Sequence, residues 1–192
     1  MTRDVLPAAF YDRPPDVVAR ALLGAVLVHE ARGVLCGGRI VETEAYFAEH
    51  DPACHTWRGK TRRNATMFGP PGHAYVYFCY GNLWLLNAVT EREGTGSAVL
   101  IRALEPCCGL AQMQRRRGAA RGHAVTNGPG KLCAALGISG RHDGMPLYQG
   151  RLRICAPDAP PPAWQAGPRI GISAGTELHA RFFIPGNPWV SR

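Results

Sequence analysis

The chain has 192 residues, 46% of them apolar, which is enough for one domain with a sizeable core. No uninterrupted apolar run approaches membrane-spanning length, and the Met-Thr-Arg-Asp start lacks the apolar core of a signal peptide. Twenty-two basic against 14 acidic residues give a net charge of +8, and Lys60 and Lys131 are the only lysines, so arginine dominates. Such a surface suits a polyanion, since the guanidinium fork matches phosphate. Seven cysteines, with no C-x-x-C pair, argue against a disulfide framework or a zinc ribbon. They read as reduced thiols in a cytoplasmic protein with no metal and no cofactor.

The elements follow in chain order. Pro14 and Pro15 open a helix with apolar Val17, Val18, Ala21 and Leu22, closed by Gly24. Residues 25–30 read as a strand, 31–33 as a turn and 34–46 as a longer strand. Gly37-Gly38 marks a bulge or a close backbone approach inside it. An unbroken strand would place Ile40, Glu42, Glu44 and Tyr46 on one face and Val41, Thr43 and Ala45 on the other. Two inward carboxylates are costly unless hydrogen bonds or function hold them. An edge strand with solvated glutamates is the plain alternative.

Residues 47–71 lack periodicity but carry His55, Arg58, Lys60, Arg62 and Arg63, which suits a functional loop. Residues 74–80 and 83–89 flank Gly81-Asn82 and form a hairpin. Tyr75, Tyr77 and Cys79 share one face of its first arm, and Val76, Phe78 and Tyr80 share the other. Residues 98–104 read as a buried strand whose Arg102 needs an acidic partner or an anionic ligand. Residues 106–117 read as a helix ending in the basic run Arg115, Arg116, Arg117, followed by Arg121. A second helix is expected over 127–136, capped by Asn127 and stopped by Gly137, its free amides suited to a phosphate. Residues 158–162 form a proline-rich loop, while 169–172 and 181–184 read as closing strands. The expected class is α+β: a single domain over 1–192 with a curved, mostly antiparallel sheet, flanking helices and a protruding hairpin.

A protein that acts on an atom inside a duplex must take the base out of the stack. It needs a wedge, a stacking pocket, phosphate grips and a catalytic group. Tyr80, then Tyr46 and Tyr77, then the arginines, then Glu44 are candidates for those parts.

The motifs RIVETEAY (39–46), His55, RN..MF (63–68), YVYFCYG (75–81), Asn87, LIRALEP (100–106), GPGKLCAAL (128–136) and NPWVS (187–191) resemble the alkyladenine (3-methyladenine) DNA glycosylases of mammals and many bacteria. The resemblance runs nearly end to end. It implies base-excision repair of alkylated or deaminated purines (3-methyladenine, hypoxanthine, ethenoadenine) in double-stranded DNA, by a monomer. It implies that Glu44 deprotonates the attacking water and that Arg102 lies near the flipped nucleotide's phosphate and that water. Tyr46, His55 and Tyr77 would wall the base pocket, Asn87 would obstruct the 2-amino group of guanine, and Tyr80 would be the wedge. Arg63 and Lys131 would contact DNA.

With no dedicated amine nucleophile implied, the enzyme is expected to be monofunctional. Glu42 is expected to be structural, paired with an arginine. Almost nothing precedes the domain, so a partner bound through an N-terminal extension is not expected. Two other readings stand beside this one: a damaged-DNA sensor that flips bases without cleaving, and a metal-dependent nuclease using Glu42, Glu44, His50 and His55.

Overall fold

A computed structural model describes residues 4–79 and 81–191. The chain begins with two short helices, α1 (Ala8–Tyr11) and α2 (Pro15–Ala21). Pro15 sits at the first turn of α2, where its missing N–H costs nothing, and Asp16 pairs with Arg20 one turn on at 2.8 Å. Val18 and Ala19 of α2 are buried. Strands β1 (Val26–Ala31) and β2 (Val34–Tyr46) follow as an antiparallel pair.

The hairpin of β3 (Ala74–Cys79) and β4 (Leu83–Thr90) pairs onward to β5 (Ser97–Cys108), which pairs with β2 over nearly its whole length. With β6 (Leu152–Cys155) the sheet order is β3-β4-β5-β2-β1-β6. Short strands β7 (Gln165–Gly167) and β8 (Arg181–Phe183) pair with each other, and β8 also pairs with Glu42–Glu44 of β2, past the end of β1. Among the described residues every strand pairing is antiparallel, and the class is α+β as expected. Helices α3 (Leu110–Arg117) and α4 (Pro129–Leu136) complete the fold, α4 contributing Leu132, Cys133, Ala135 and Leu136 to the core.

The expected face of β2 holds for Glu42, Glu44 and Tyr46 but not for Ile40. Ile40 joins the core cluster that contains Ala45, and the register with β5 shifts between Ile40 and Glu42 and again between Glu42 and Thr43. A bulge at that point breaks simple alternation.

The expected helix over 106–117 starts later. Residues 105–108 stay in the sheet because Gly37 and Gly38 let the two backbones close up. A Cβ at Gly38 would lie 2.8 Å from the Glu105 carbonyl oxygen. Gly109, at φ 72°, then turns the chain into α3 against Leu35 and Cys36. Asn127 does not cap α4. The cap is Gly128, and Asn127 Oδ1 instead accepts a 2.9 Å hydrogen bond from Lys131 Nζ. Residues 169–172 are loop rather than strand, since Arg169 turns its side chain into the protein and the Ile170 N–H donates to a side chain instead of a ladder. Among the described residues no helix is long and apolar enough to cross a membrane.

Candidate active site

A cleft of about 720 Å³ opens between the end of β2, the β3–β4 hairpin, the loop after Tyr46, the start of α4 and residues 170–174. That volume is ample for a nucleobase-sized ligand. Tyr46, His55, Tyr77, Asn87, Arg102 and Lys131 all line it. The fold thus gathers six of the nine residues singled out in the sequence.

Glu44 lies directly behind this wall, fully buried. Its Oε2 accepts a 2.8 Å hydrogen bond from the Tyr46 hydroxyl, and its Oε1 accepts one of 2.8 Å from the Ile170 N–H. Arg102 Nη1 stands 3.2 Å from Oε1. Glu44 does not itself line the cleft, but all three groups that hold it do. Burial, and next the Glu44 charge, push the Tyr46 phenol far above its ordinary range, so it stays protonated and donates. Arg102 Nη1 also reaches toward the Ile170 carbonyl at 3.4 Å.

The aromatic side of the cleft is a cluster. Tyr75 and Tyr77 stack with centroids 5.3 Å apart, and the His55 ring meets Tyr77 edge-on at 4.5 Å. His55 Nδ1 is 2.9 Å from the Tyr75 hydroxyl. Burial, helped by the Arg63 charge, lowers the His55 pKa below 6.5, although the residue keeps part of its surface open to solvent. The imidazole is therefore neutral at pH 7, with one N–H to donate and one lone pair to accept. Asn87 is buried beside Tyr75, donating from Nδ2 to the Tyr75 carbonyl at 3.1 Å, and its pairing with Leu100 holds it under the cleft.

Lys131 projects from the first turn of α4, and Gly128, Pro129 and Gly130 line the cleft beside it. Arg63 lies on the surface outside the lining, its Nη2 donating to the Phe78 carbonyl at 3.3 Å. Tyr80, the expected wedge, lies outside the described residues. Glu42, on the same side of β2, is held by a different set of partners. Its carboxylate takes Arg181 Nε at 2.5 Å and both the N–H (2.8 Å) and hydroxyl (2.9 Å) of Ser191, with Arg102 Nε at 3.6 Å. The ligand set of the nuclease reading does not come together: among the described residues no three His, Cys, Asp or Glu side chains group as metal ligands.

Sequence reasoning missed Asp51 and Arg169. Their side chains form a bidentate ion pair at 2.6 and 2.7 Å with no solvent exposure, and the guanidinium carbon lies 4.7 Å from the centre of the Tyr46 ring. Asp51 sits in an aperiodic loop and Arg169 in a stretch that reads as strand, so no local pattern links them across 118 positions.

A family profile described as methylpurine-DNA glycosylase matches residues 9–188. A protein of Chlorobaculum tepidum is 50% identical over 192 aligned residues, covering 97% of this chain and 90% of its own. One from Burkholderia lata is 50% identical with 97% and 91% covered, and one from Methanoculleus marisnigri is 48% identical with 97% and 98% covered. All three carry the name "Putative 3-methyladenine DNA glycosylase".

Proposed function

This chain belongs to the methylpurine-DNA glycosylase family, which makes it a DNA-repair hydrolase acting on N-glycosyl bonds; from that premise we propose that it flips alkylated or deaminated purines out of duplex DNA and cuts them from the sugar with Glu44 as general base. The substrates in this reading are 3-methyladenine, hypoxanthine and ethenoadenine. Water, activated by Glu44, attacks C1′, the N-glycosidic bond breaks, and the base departs with its electron pair to leave an abasic site. The anionic carboxylate also stabilises positive charge developing on the sugar, as in glycoside hydrolysis.

What carries the reading is the setting of Glu44: no exposure, yet held by Tyr46, Ile170 and Arg102, every one a wall of the same cleft. A water reaching Arg102 and the Ile170 backbone from the cleft arrives within reach of the carboxylate. Tyr46, His55 and Tyr77 supply π faces for the base. A cationic lesion such as 3-methyladenine gains about 0.5–2 kcal/mol on such faces and is the better leaving group. Asn87 rejects the 2-amino group of guanine, and Arg63 and Lys131 grip phosphates.

The enzyme works as a cytoplasmic monomer of one domain. It has no lyase step, because water activated by Glu44 is the nucleophile, Lys131 grips phosphate and Lys60 stands in the basic loop outside the cleft lining; borohydride trapping on lesion DNA would yield no adduct. The test is Glu44→Gln on methylated DNA. The variant binds as the wild type does and releases 3-methyladenine about 10²- to 10⁴-fold more slowly. Release at the wild-type rate would remove Glu44 from the mechanism.

A further inference from the structure

Two of the three groups that hold Glu44 adjoin one residue that no motif contains, Arg169. Ile170, whose N–H holds Oε1, is the chain neighbour of Arg169. Tyr46, whose hydroxyl holds Oε2, rests its ring over the Arg169 guanidinium. The guanidinium is itself fixed on several sides. Nη1 donates to the Ala45 carbonyl at 3.0 Å and to Asp51, and Nη2 donates to Asp51 and to the Gly175 carbonyl at 3.2 Å. Asp51 is anchored in turn, accepting from the Phe47 and Ala53 N–H groups at 3.1 Å each. One buried cation thus ties together the end of β2, the loop after Tyr46 and the cleft-lining segment 170–174.

We propose that Arg169, locked by Asp51, is a positioning residue for base release: it sets the Tyr46 ring and the Ile170 amide so that the two hydrogen bonds hold the Glu44 carboxylate in one rotamer facing the anomeric carbon. The inference rests on the reading of Glu44 as general base. Its physical logic is that a carboxylate hydrogen-bonded at one oxygen swings about its last torsion, whereas one held at both does not. A pair that served folding alone would need only that its two buried charges compensate each other. Turnover needs in addition that the fork sit under Tyr46 and keep the 170–174 segment in register, which a shorter or unforked cation does not do.

Removing one partner would leave a buried lone charge, so the leading variant is the double substitution Asp51→Asn with Arg169→Met, which leaves none. The second is Arg169→Lys, which keeps the charge and loses the fork. Each is measured for single-turnover release of 3-methyladenine from methylated duplex DNA, for affinity toward a duplex carrying a stable abasic-site analogue, and for Tm. The expected result is a fall in the release rate of about 10- to 100-fold in both variants, the scale of a small misplacement of a reacting group. Affinity for the abasic duplex stays within about threefold, because phosphate contacts are untouched.

A release rate unchanged in the folded Arg169→Lys protein would overturn the proposal. So would losses of rate and affinity that fall together in proportion to Tm, which mark a merely structural pair. If neither substituted protein folds, the pair is needed for the fold itself and the positioning role is rejected as a separate function. Failure of the underlying reading is seen apart from these outcomes, since Glu44→Gln, with the ion pair intact, would then still release base.

Discussion

Glu42 and Glu44 leave the same strand on the same side, two residues apart and equally hidden from solvent, yet their hydrogen-bond partners come from different parts of the molecule. Glu42 is saturated by structure: Arg181 from β8 and two donors of Ser191 bind its oxygens and bring the last described residues onto the sheet. Glu44 is held by donors that all belong to a cleft wall. Arg102 stands between them, 3.6 Å from one and 3.2 Å from the other. A buried carboxylate must be hydrogen-bonded in either case. What separates the two is that the partners of Glu44 line a cleft; under the proposed function that is what makes it the reactive acid.

The sharpest break of that comparison exchanges the two losses. Glu44→Gln should lower single-turnover base release by at least about 10²- to 10⁴-fold, the range of general-base contributions, with little change in Tm. Glu42→Gln should do the reverse. It strips the charge that compensates Arg181 and costs roughly 3–5 kcal/mol of stability, as expected for breaking a buried pair. At a temperature where the protein is still folded, its release rate should stay within about tenfold of wild type. Denaturant unfolding and single-turnover assays on the two proteins measure both arms. A Glu42 variant as dead as the Glu44 variant, yet fully stable, would mean that both carboxylates serve the reaction.

A smaller effect tests the cleft wall against the buried acid behind it. Asn87→Ala removes a buried amide that touches no glutamate and should raise release of unmodified guanine by roughly tenfold, the scale on which one pocket group discriminates. Counting free guanine after incubation with undamaged DNA would show it. No rise means that guanine is rejected elsewhere.

Two buried histidines at the C-terminal end of α4 give a pH effect on stability from outside the cleft lining. His29 and His142 meet edge-on at 4.7 Å, and burial lowers the pKa of each below 6.5. Below pH 6.5 the unfolded chain binds protons that the folded chain refuses, so unfolding takes up protons and stability falls as pH drops. Tm measured from about pH 8 to pH 5 should hold flat and then decline, and His142→Asn should soften the decline. A Tm that rises on acidification would contradict the sign.

Smallest is the response to salt. Lys131→Ala and Arg63→Ala should each reduce the slope of log affinity against log salt by about one. If only Lys131, which lines the cleft, behaves so, Arg63 is not a phosphate contact.

Much of the fold is legible in the sequence alone. The strand over 34–46, the hairpin about Gly81-Asn82 and the stop of α4 at Gly137 come from local preferences that tertiary packing did not override. So did the pairing of Tyr75 and Tyr77 on the cleft face, because a period of two survives wherever the ladder is regular. The expectations failed where a distant segment set the local geometry. Gly37 and Gly38 drew residues 105–108 into the sheet, Lys131 took the side chain of Asn127, and Arg169 turned inward to meet Asp51.

The sequence by itself determined the alternation that puts Glu42, Glu44 and Tyr46 on one side of a strand, the basic surface and the family to which the chain belongs. Only the tertiary structure decided which glutamate is spent on Ser191 and Arg181 and which is presented behind a cleft. Side-chain direction along a strand is local, written in a repeat of two residues. The partner that a buried charge finds is a contact across more than a hundred positions, and no short stretch of chain encodes it.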